Sequence, residues 1–398
     1  MSGVAGQASD GWWQSRLSPF VRGFDPSGYA TVRDEMAAAR AAGVDILPLK
    51  GSTIQALAPH VLEAVVAGAH TNMHGHARGL PELRAAISRK LSARNSIVAD
   101  PEREILVTGG SKHALHMLLM TLLEPGDEVV FPTPAYTYWG SVRLAHGKPV
   151  AVLMREADGY RWDPEAIEAA VTPRTRVLLL CAPMIPTGYV PTAEDLLAMG
   201  EIAERHDLVI VMDEAHENLV FDGRRHVSAA SLGALRERTV TLFSMTKAHN
   251  LTGYRIGYLV GNAALIDQVA KMVEWSVLLN PYLPQLAAKA VLEGPQDWLE
   301  DMIRLAERNR NVVSAALDEL EGVSHVRPAG GMYHFINVRG TGLTDLELYR
   351  RLLREHGIPT EPGWISGEAG HLRLTALGSP EAVVDELAHR LRIAWQKL

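Results

Sequence analysis

From residue 104 onward the chain alternates short apolar runs with amphipathic stretches of helical period. The runs 104–108 (EILVT), 128–132 (EVVFP), 149–154 (PVAVLM), 176–182 (RVLLLCA), 208–215 (LVIVMDEA), 239–243 (TVTLF) and 258–261 (YLVG) predict strands. Between them, 112–123, 136–145, 164–171, 193–206 and 264–277 predict helices. Continuously apolar strands separated by helices imply an α/β fold, a mostly parallel seven-stranded-type sheet flanked by helices on both faces. In such sheets ligands bind beyond the carboxyl ends of the strands.

The last third changes character. A long helix is predicted at 299–320 and a closing helix at 380–396, with strands 331–338 (GMYHFINV) and 371–377 (HLRLTAL) framing a helix at 345–355. Upstream of the alternating part, a helix ending near Gly43, a short strand at 45–49 and helices at 59–67 and from Pro81 are expected. The pattern divides into a large α/β unit, 46–285, and a smaller α+β unit formed by 1–45 and 286–398.

Composition narrows the class without naming a chemistry. The chain has 398 residues, 47% hydrophobic and 21% charged, with a net charge of −7. That balance gives no pull toward nucleic acid or an anionic membrane. One cysteine, Cys181, rules out an intrachain disulfide framework. Neither a basic segment leading into an apolar one at the N-terminus nor a membrane-length apolar run is present, so a cytoplasmic location is expected. His74 and His76 lie two apart without an accompanying cysteine or paired histidine, a poor pattern for zinc, and no metal is expected.

The chemistry gathers at strand exits. Thr108–Leu115 (TGGSKHAL) is a Gly-rich turn opening a helix, an anion site in which Gly110, Ser111 and Lys112 are the candidate contacts. Tyr136 offers an aromatic face, for stacking on a flat ring or for core packing. Asp213 ends a buried strand, where an acid is costly unless paired. In the stretch SMTKAHNLTGYRIGY (244–258), Lys247 stands among Ser244, Thr246 and Arg255, whose fork suits phosphate. A lysine beside a phosphate site points to a Schiff base with pyridoxal phosphate (PLP).

Together, GLPELRAAI, TGGSKHAL, EPGDEVVFPTPAY, the PTG turn, DEAH, SMTK with GYRIGY, and HLRLT resemble the class I/II aminotransferases, PLP enzymes of fold type I. The resemblance spans residues 45–398. It implies an aspartate aminotransferase-like fold, the cofactor pyridoxal 5′-phosphate, and Lys247 as the internal aldimine lysine that moves protons through a quinonoid intermediate. It makes Asp213 the partner of the pyridine nitrogen and Tyr136 the stacking ring. Gly110, Ser111, Lys112, Ser244 and Arg255 become the phosphate cup, and Arg373 the fork for the substrate α-carboxylate. It also implies a homodimer in which the loop around His74 completes the other subunit's site.

Three positions depart from that family's pattern. Ile185 replaces the asparagine that donates to the ring's phenolic oxygen, His216 stands where a tyrosine is usual, and His74 replaces another tyrosine. Isoleucine has no donor at all, whereas imidazole can donate, accept and titrate. DEAH and the HGHA loop are also similar to the carbon–sulfur β-lyase branch. The implied function is therefore transamination of an amino acid, with a β-lyase or a diverted PLP enzyme acting on a modified amino acid as the alternative. A PLP-fold regulatory module without catalysis is a third class, against which the presence of Lys247 argues. His76, Trp13, Tyr138 and the loop before Gly331 are the remaining candidates for the walls of the substrate pocket.

Overall fold

The computed structural model describes residues 12–24, 27–50, 57–71, 73 and 75–398. Its main sheet holds seven strands: β1 (Ile105–Thr108), β2 (Glu128–Thr133), β3 (Lys148–Leu153), β4 (Thr175–Cys181), β5 (Val209–Asp213), β6 (Thr239–Ser244) and β7 (Gly257–Val260). They lie in the order β1-β7-β6-β5-β4-β2-β3. The pairs β3–β2, β2–β4, β4–β5 and β5–β6 are parallel, and β7 runs antiparallel to both its neighbours.

The unbroken apolar character of these strands has a visible cause. Along β4, Val177, Leu179 and Cys181 enter one core while Leu178 and Leu180 enter another. Along β5, Val211 joins the first core, and Ile210 and Met212 the second. Alternate residues point to opposite faces, and both faces are covered. The first core is closed by Leu115, Leu118 and Leu119 of α4 (Ser111–Leu122) and by Ile266, Val269 and Val273 of α8 (Ala263–Val277). The second is closed by Ile167 of α6 (Pro164–Ala169) and by Leu196, Met199 and Ile202 of α7 (Ala193–Arg205). Each such side chain contributes about 1.5–3 kcal/mol by leaving water. Helix α7 starts where it does because Thr192 and Asp195 form a reciprocal capping box.

A second, antiparallel sheet has the order β10-β11-β9-β8, with β8 (Ser324–His325), β9 (Tyr333–Asn337), β10 (Glu361–Pro362) and β11 (His371–Thr375). Helices α1 (Gly28–Ala41), α10 (Asp297–Asp318), α11 (Asp345–His356) and α12 (Glu381–Trp395) pack with it around Leu317, Ile336, Leu352, Leu372 and Leu387. Val32 and Ala39 bring α1 into this same cluster.

Two local expectations change. Residues 45–49 form no strand: Leu47 donates one hydrogen bond to the Gly357 carbonyl (2.8 Å), and Pro48, lacking an N–H, stops the ladder. Helix α9 (Tyr282–Glu293), which follows α8, was not expected, and residue 285 lies inside it. The buried Gln285 side chain accepts from Leu80 N (2.6 Å) and donates to the Asn280 carbonyl (3.0 Å), fixing the start of α3 (Pro81–Lys90). Between α1 and α3 lies α2 (Pro59–Ala69), and α5 (Tyr138–Leu144) follows β2.

Candidate active site

The parallel strands deliver their carboxyl ends to one rim. Cys181 at the end of β4 is the register partner of Asp213 at the end of β5, and Ser244 ends β6. Beyond this rim lies a cavity of about 140 Å³ lined by Ser111, Lys112, Tyr136, Tyr138, Cys181, Ile185, Asp213, Ala215, His216, Ser244, Thr246, Lys247, Arg255 and Tyr333. Nine residues read from the sequence as catalytic or cofactor-binding candidates, and Tyr138, named for the substrate pocket, are thus brought to one enclosure.

One end of it is built from tight turns. Gly110 precedes α4 at φ +94°, a left-handed conformation that glycine adopts freely. A Cβ there would stand 3.1 Å from Arg255 Nη2, so the glycine also lets the guanidinium approach the helix start. Gly257 matters for the same corner, because its Cβ would come within 2.8 Å of Ser111 N. Arg255 itself has φ +52°, a strained position for a residue with a side chain. Its Nη1 donates to the Thr252 carbonyl (3.2 Å) and lies 3.4 Å from Thr246 Oγ1. The Thr246 N–H donates to Ser244 Oγ (3.2 Å). Lys112 Nζ donates to Thr137 Oγ1 (2.7 Å) and stands 5.4 Å from the Tyr136 ring centre. Hydroxyls, one guanidinium and a helix start together make an anion-binding corner.

The other end is built from side chains on separate elements. Lys247 Nζ lies 3.3 Å from the Tyr333 hydroxyl of β9. That neighbour favours the ammonium form and outweighs burial, which opposes it, so Lys247 is held above its ordinary value. Enclosure pushes the Asp213 carboxyl up, against the Tyr138 hydroxyl (2.9 Å) and the Ala215 N–H (3.2 Å), which donate to it. Such an acid fits a cationic partner across the cavity. His216 is 3% exposed, and burial first, then the charges of Lys247 and Arg373, drive its pKa well down. It is a neutral imidazole whose Nδ1 has no hydrogen-bond partner among the described residues. The turn carrying it is anchored on either side. Glu214 accepts from Ser228 Oγ (2.6 Å), Ala229 N (3.2 Å) and His226 Nε2 (2.8 Å). Glu217 pairs with Lys90 and accepts from Asn95 Nδ2 (2.6 Å).

Arg373 of β11 does not line this cavity directly. It is 5% exposed, with its guanidinium carbon 4.8 Å from the Tyr333 ring centre and 5.2 Å from that of Tyr29. Gly110 likewise stands just behind Ser111. His74 lies outside the described residues. His76 is exposed, off the cavity wall, and its Nδ1 accepts from Arg78 N (3.2 Å). Trp13 is also exposed, and Tyr138 lines the cavity with its hydroxyl on Asp213. Tyr333 and Tyr29 were not singled out from the sequence. Thr246 sits inside the lysine motif and was readable there, whereas Tyr29 and Tyr333 reach the site only through tertiary packing.

Residues 48–391 match the family model for aminotransferase class I and II. The chain belongs to the class I and II aminotransferase family. Among its relatives, the aspartate aminotransferase of Bacillus subtilis is 33% identical, over 95% of this chain and 98% of that protein. The arginine–pyruvate transaminase of Pseudomonas aeruginosa is 36% identical, over 79% of each chain. The solved structure of Thermus thermophilus aspartate aminotransferase with maleate superposes with a TM-score of 0.89 at 31% identity, over 95% of this chain and 99% of that one. The fold is thus aspartate aminotransferase-like, and this aminotransferase belongs to a family whose members use PLP. The comparisons favour transamination over the carbon–sulfur lyase alternative.

A larger cavity of about 420 Å³, lined in part by Leu57, His60, His249, Val291, Trp298 and Met302, lies away from this rim. Its described lining mixes apolar residues with His60, His249, Asn250 and Asp297 and holds neither lysine nor arginine, so size is a poor guide to the chemistry here.

Proposed function

We propose that this aminotransferase holds pyridoxal phosphate in the cavity at the rim of the main sheet and exchanges the amino group of an amino acid with a keto acid. The observation that supports it best is the convergence of Lys247, Asp213 and Arg255 on that enclosure. Gly110, Ser111, Ser244 and Arg255, with Lys112, would hold the phosphate, Asp213 the protonated pyridine nitrogen, and Tyr136 the ring face. The unpartnered Nδ1 of His216 fits the phenolic oxygen, beside which Ile185 supplies no donor. The bound cofactor would supply an electron sink for the bond broken at the substrate α-carbon. Lys247 would hold the cofactor, and its Nζ would take and return the α-carbon proton. Tyr333 orients that Nζ, and Arg373 receives the α-carboxylate.

The division into 46–285 and 1–45 with 286–398 is part of this reading. Since residue 285 lies in α9, the seam belongs at that helix's end, before α10. So does a homodimer with shared sites and a contribution from the His74 loop. The exposed Leu62, Val66, Trp275 and Leu278 support such an interface. A cytoplasmic location goes with it; no helix among the described residues is long and apolar enough to cross a membrane.

The test is a donor screen followed by absorbance. Purified protein carrying PLP is mixed with a broad panel of amino acids without keto acid, and products are identified by mass spectrometry. Conversion of the visible cofactor band, with one keto acid formed per site, is expected. No conversion with any donor, or release of pyruvate and ammonia from β-substituted donors alone, contradicts the proposal.

A further inference from the structure

Glu361 has no role in the site as described, yet it stands at the residue on which amino-acid recognition is proposed to rest. In the small sheet, Glu361 of β10 is the direct cross-strand partner of Arg373 of β11. Partners in register present their side chains on the same face. Accordingly, Arg373 Nη2 lies 2.5 Å from Glu361 Oε2. The Nε and Nη1 atoms of the same guanidinium are buried and have no hydrogen-bond partner among the described residues.

This arrangement has a geometric consequence. A guanidinium offers a carboxylate two bidentate edges, Nε with Nη2 and Nη1 with Nη2. Nη2 belongs to both. Each edge uses a different hydrogen of Nη2, so Glu361 leaves one edge open and sets a second negative charge beside an incoming carboxylate. The pair also has an energetic consequence. A guanidinium as enclosed as Arg373, between the rings of Tyr29 and Tyr333, is costly without an anion. Glu361 supplies that anion whether or not a substrate carboxylate is present.

We propose that Glu361 is a specificity-determining residue that lets this site accept primary amines lacking an α-carboxylate as amino donors, alongside α-amino acids. The inference rests on the reading of Arg373 as the carboxylate fork. In the net reaction, the donor carbon loses its hydrogen and amino group and becomes a carbonyl carbon. A keto acid as co-reactant gains that hydrogen and amino group and gives up its oxygen, so the donor's two-electron oxidation balances the keto acid's reduction. With the amine bound, Arg373 stays neutralised by Glu361. With the keto acid bound, its carboxylate takes the free Nε or Nη1.

The experiment compares donors that differ only in the carboxylate: phenylalanine with phenethylamine, leucine with isoamylamine, and lysine with cadaverine. The rate of band conversion is followed on the PLP-loaded enzyme and on Glu361→Gln and Glu361→Asp. For at least one pair, the wild type should convert the amine within about a hundredfold of the amino acid, against the about ten-thousandfold gap of a site that depends on a group the ligand lacks. Glu361→Gln should lower KM for the amino acid about tenfold and slow the amine about tenfold, as expected for removing one close charge contact. Glu361→Asp, which keeps the carboxylate, should retain the wild-type ratio within a few-fold. Wild-type conversion of amino acids but no amine overturns the inference and leaves the proposed transamination standing. Equal effects of Glu361→Gln on both donors also overturn it, and a Glu361→Gln that fails to melt cooperatively leaves the wild-type ratio to decide. If no amino acid reacts either, the proposed function falls and the inference with it.

Discussion

The two ends of the cavity are built by opposite rules. The corner at Gly110, Ser111, Ser244 and Arg255 comes from two turns, each contiguous in sequence, and its geometry depends on backbone: a glycine at φ +94°, an arginine at φ +52° and a helix start. The end at Ile185, His216 and Tyr333, with Arg373 and Glu361 packed behind Tyr333, comes from five segments of both sheets and their loops, and it depends on side chains. The departures from the family's pattern fall at the second end or, like His74, outside the described residues. A turn that grips a phosphate through its backbone leaves little freedom to vary. A wall assembled from side chains can change one contact at a time, so the reaction's selectivity is free to drift there while the cofactor's anchor stays fixed.

The contrast can be broken at several points. The largest effect belongs to Asp213→Asn, which should lower kcat by about 10²–10³, the magnitude of losing one charge-stabilising contact in a dry site. Stopped-flow half-reactions would show it, and an unchanged rate would remove Asp213 from the ring. Arg255→Ala should weaken PLP affinity by about 10–100-fold, as for a lost hydrogen bond to a charged group, with little change in the band's position. Equilibrium dialysis and the absorbance maximum separate the two. Ile185→Asn restores a donor at the variable end. It should move the pH midpoint of the visible band downward by about one unit, because a donor to the phenolic oxygen favours the deprotonated chromophore. An unmoved midpoint would place Ile185 away from that oxygen.

The smallest effect concerns the brace behind His216. Burial, which lowers the pKa of His226, is outweighed by the Glu214 carboxylate, so His226 is held above its ordinary value. A raised pKa contributes stability that is full below the unfolded value, about 6.5, and is lost as pH rises through the folded one. The melting temperature of the wild type should exceed that of His226→Gln most below pH 6, with the difference shrinking toward alkaline pH. A difference constant with pH would mean that the imidazole is held neutral.

The anchored end was legible in the sequence because its parts are local. TGGSKHAL and SMTKAHNLTGYR each carry turn, hydroxyls and cation within a few residues, and the strand pattern places both at carboxyl ends. The strands were equally plain, since residues such as Val177 to Cys181 feed two cores alternately and read as one apolar run. The small sheet's contribution was not legible. Tyr333 sits in a predicted strand, but nothing in its spacing says that it reaches Lys247. Glu361 lies in a strand of two residues, too short for periodicity, and its pairing with Arg373 exists only through register. Helix α9 was missed because Pro281 and Pro284 flank its first turn and read as a loop, although proline is well accommodated there.

Every role proposed for this site depends on Lys247 as the residue that holds the cofactor. Purified enzyme loaded with pyridoxal phosphate would be reduced with borohydride, digested, and mapped by mass spectrometry. A phosphopyridoxyl group on Lys247, absent in Lys247→Ala together with the visible band, is the predicted result. A label on Lys112 or another lysine, or an undiminished band in Lys247→Ala, would contradict it.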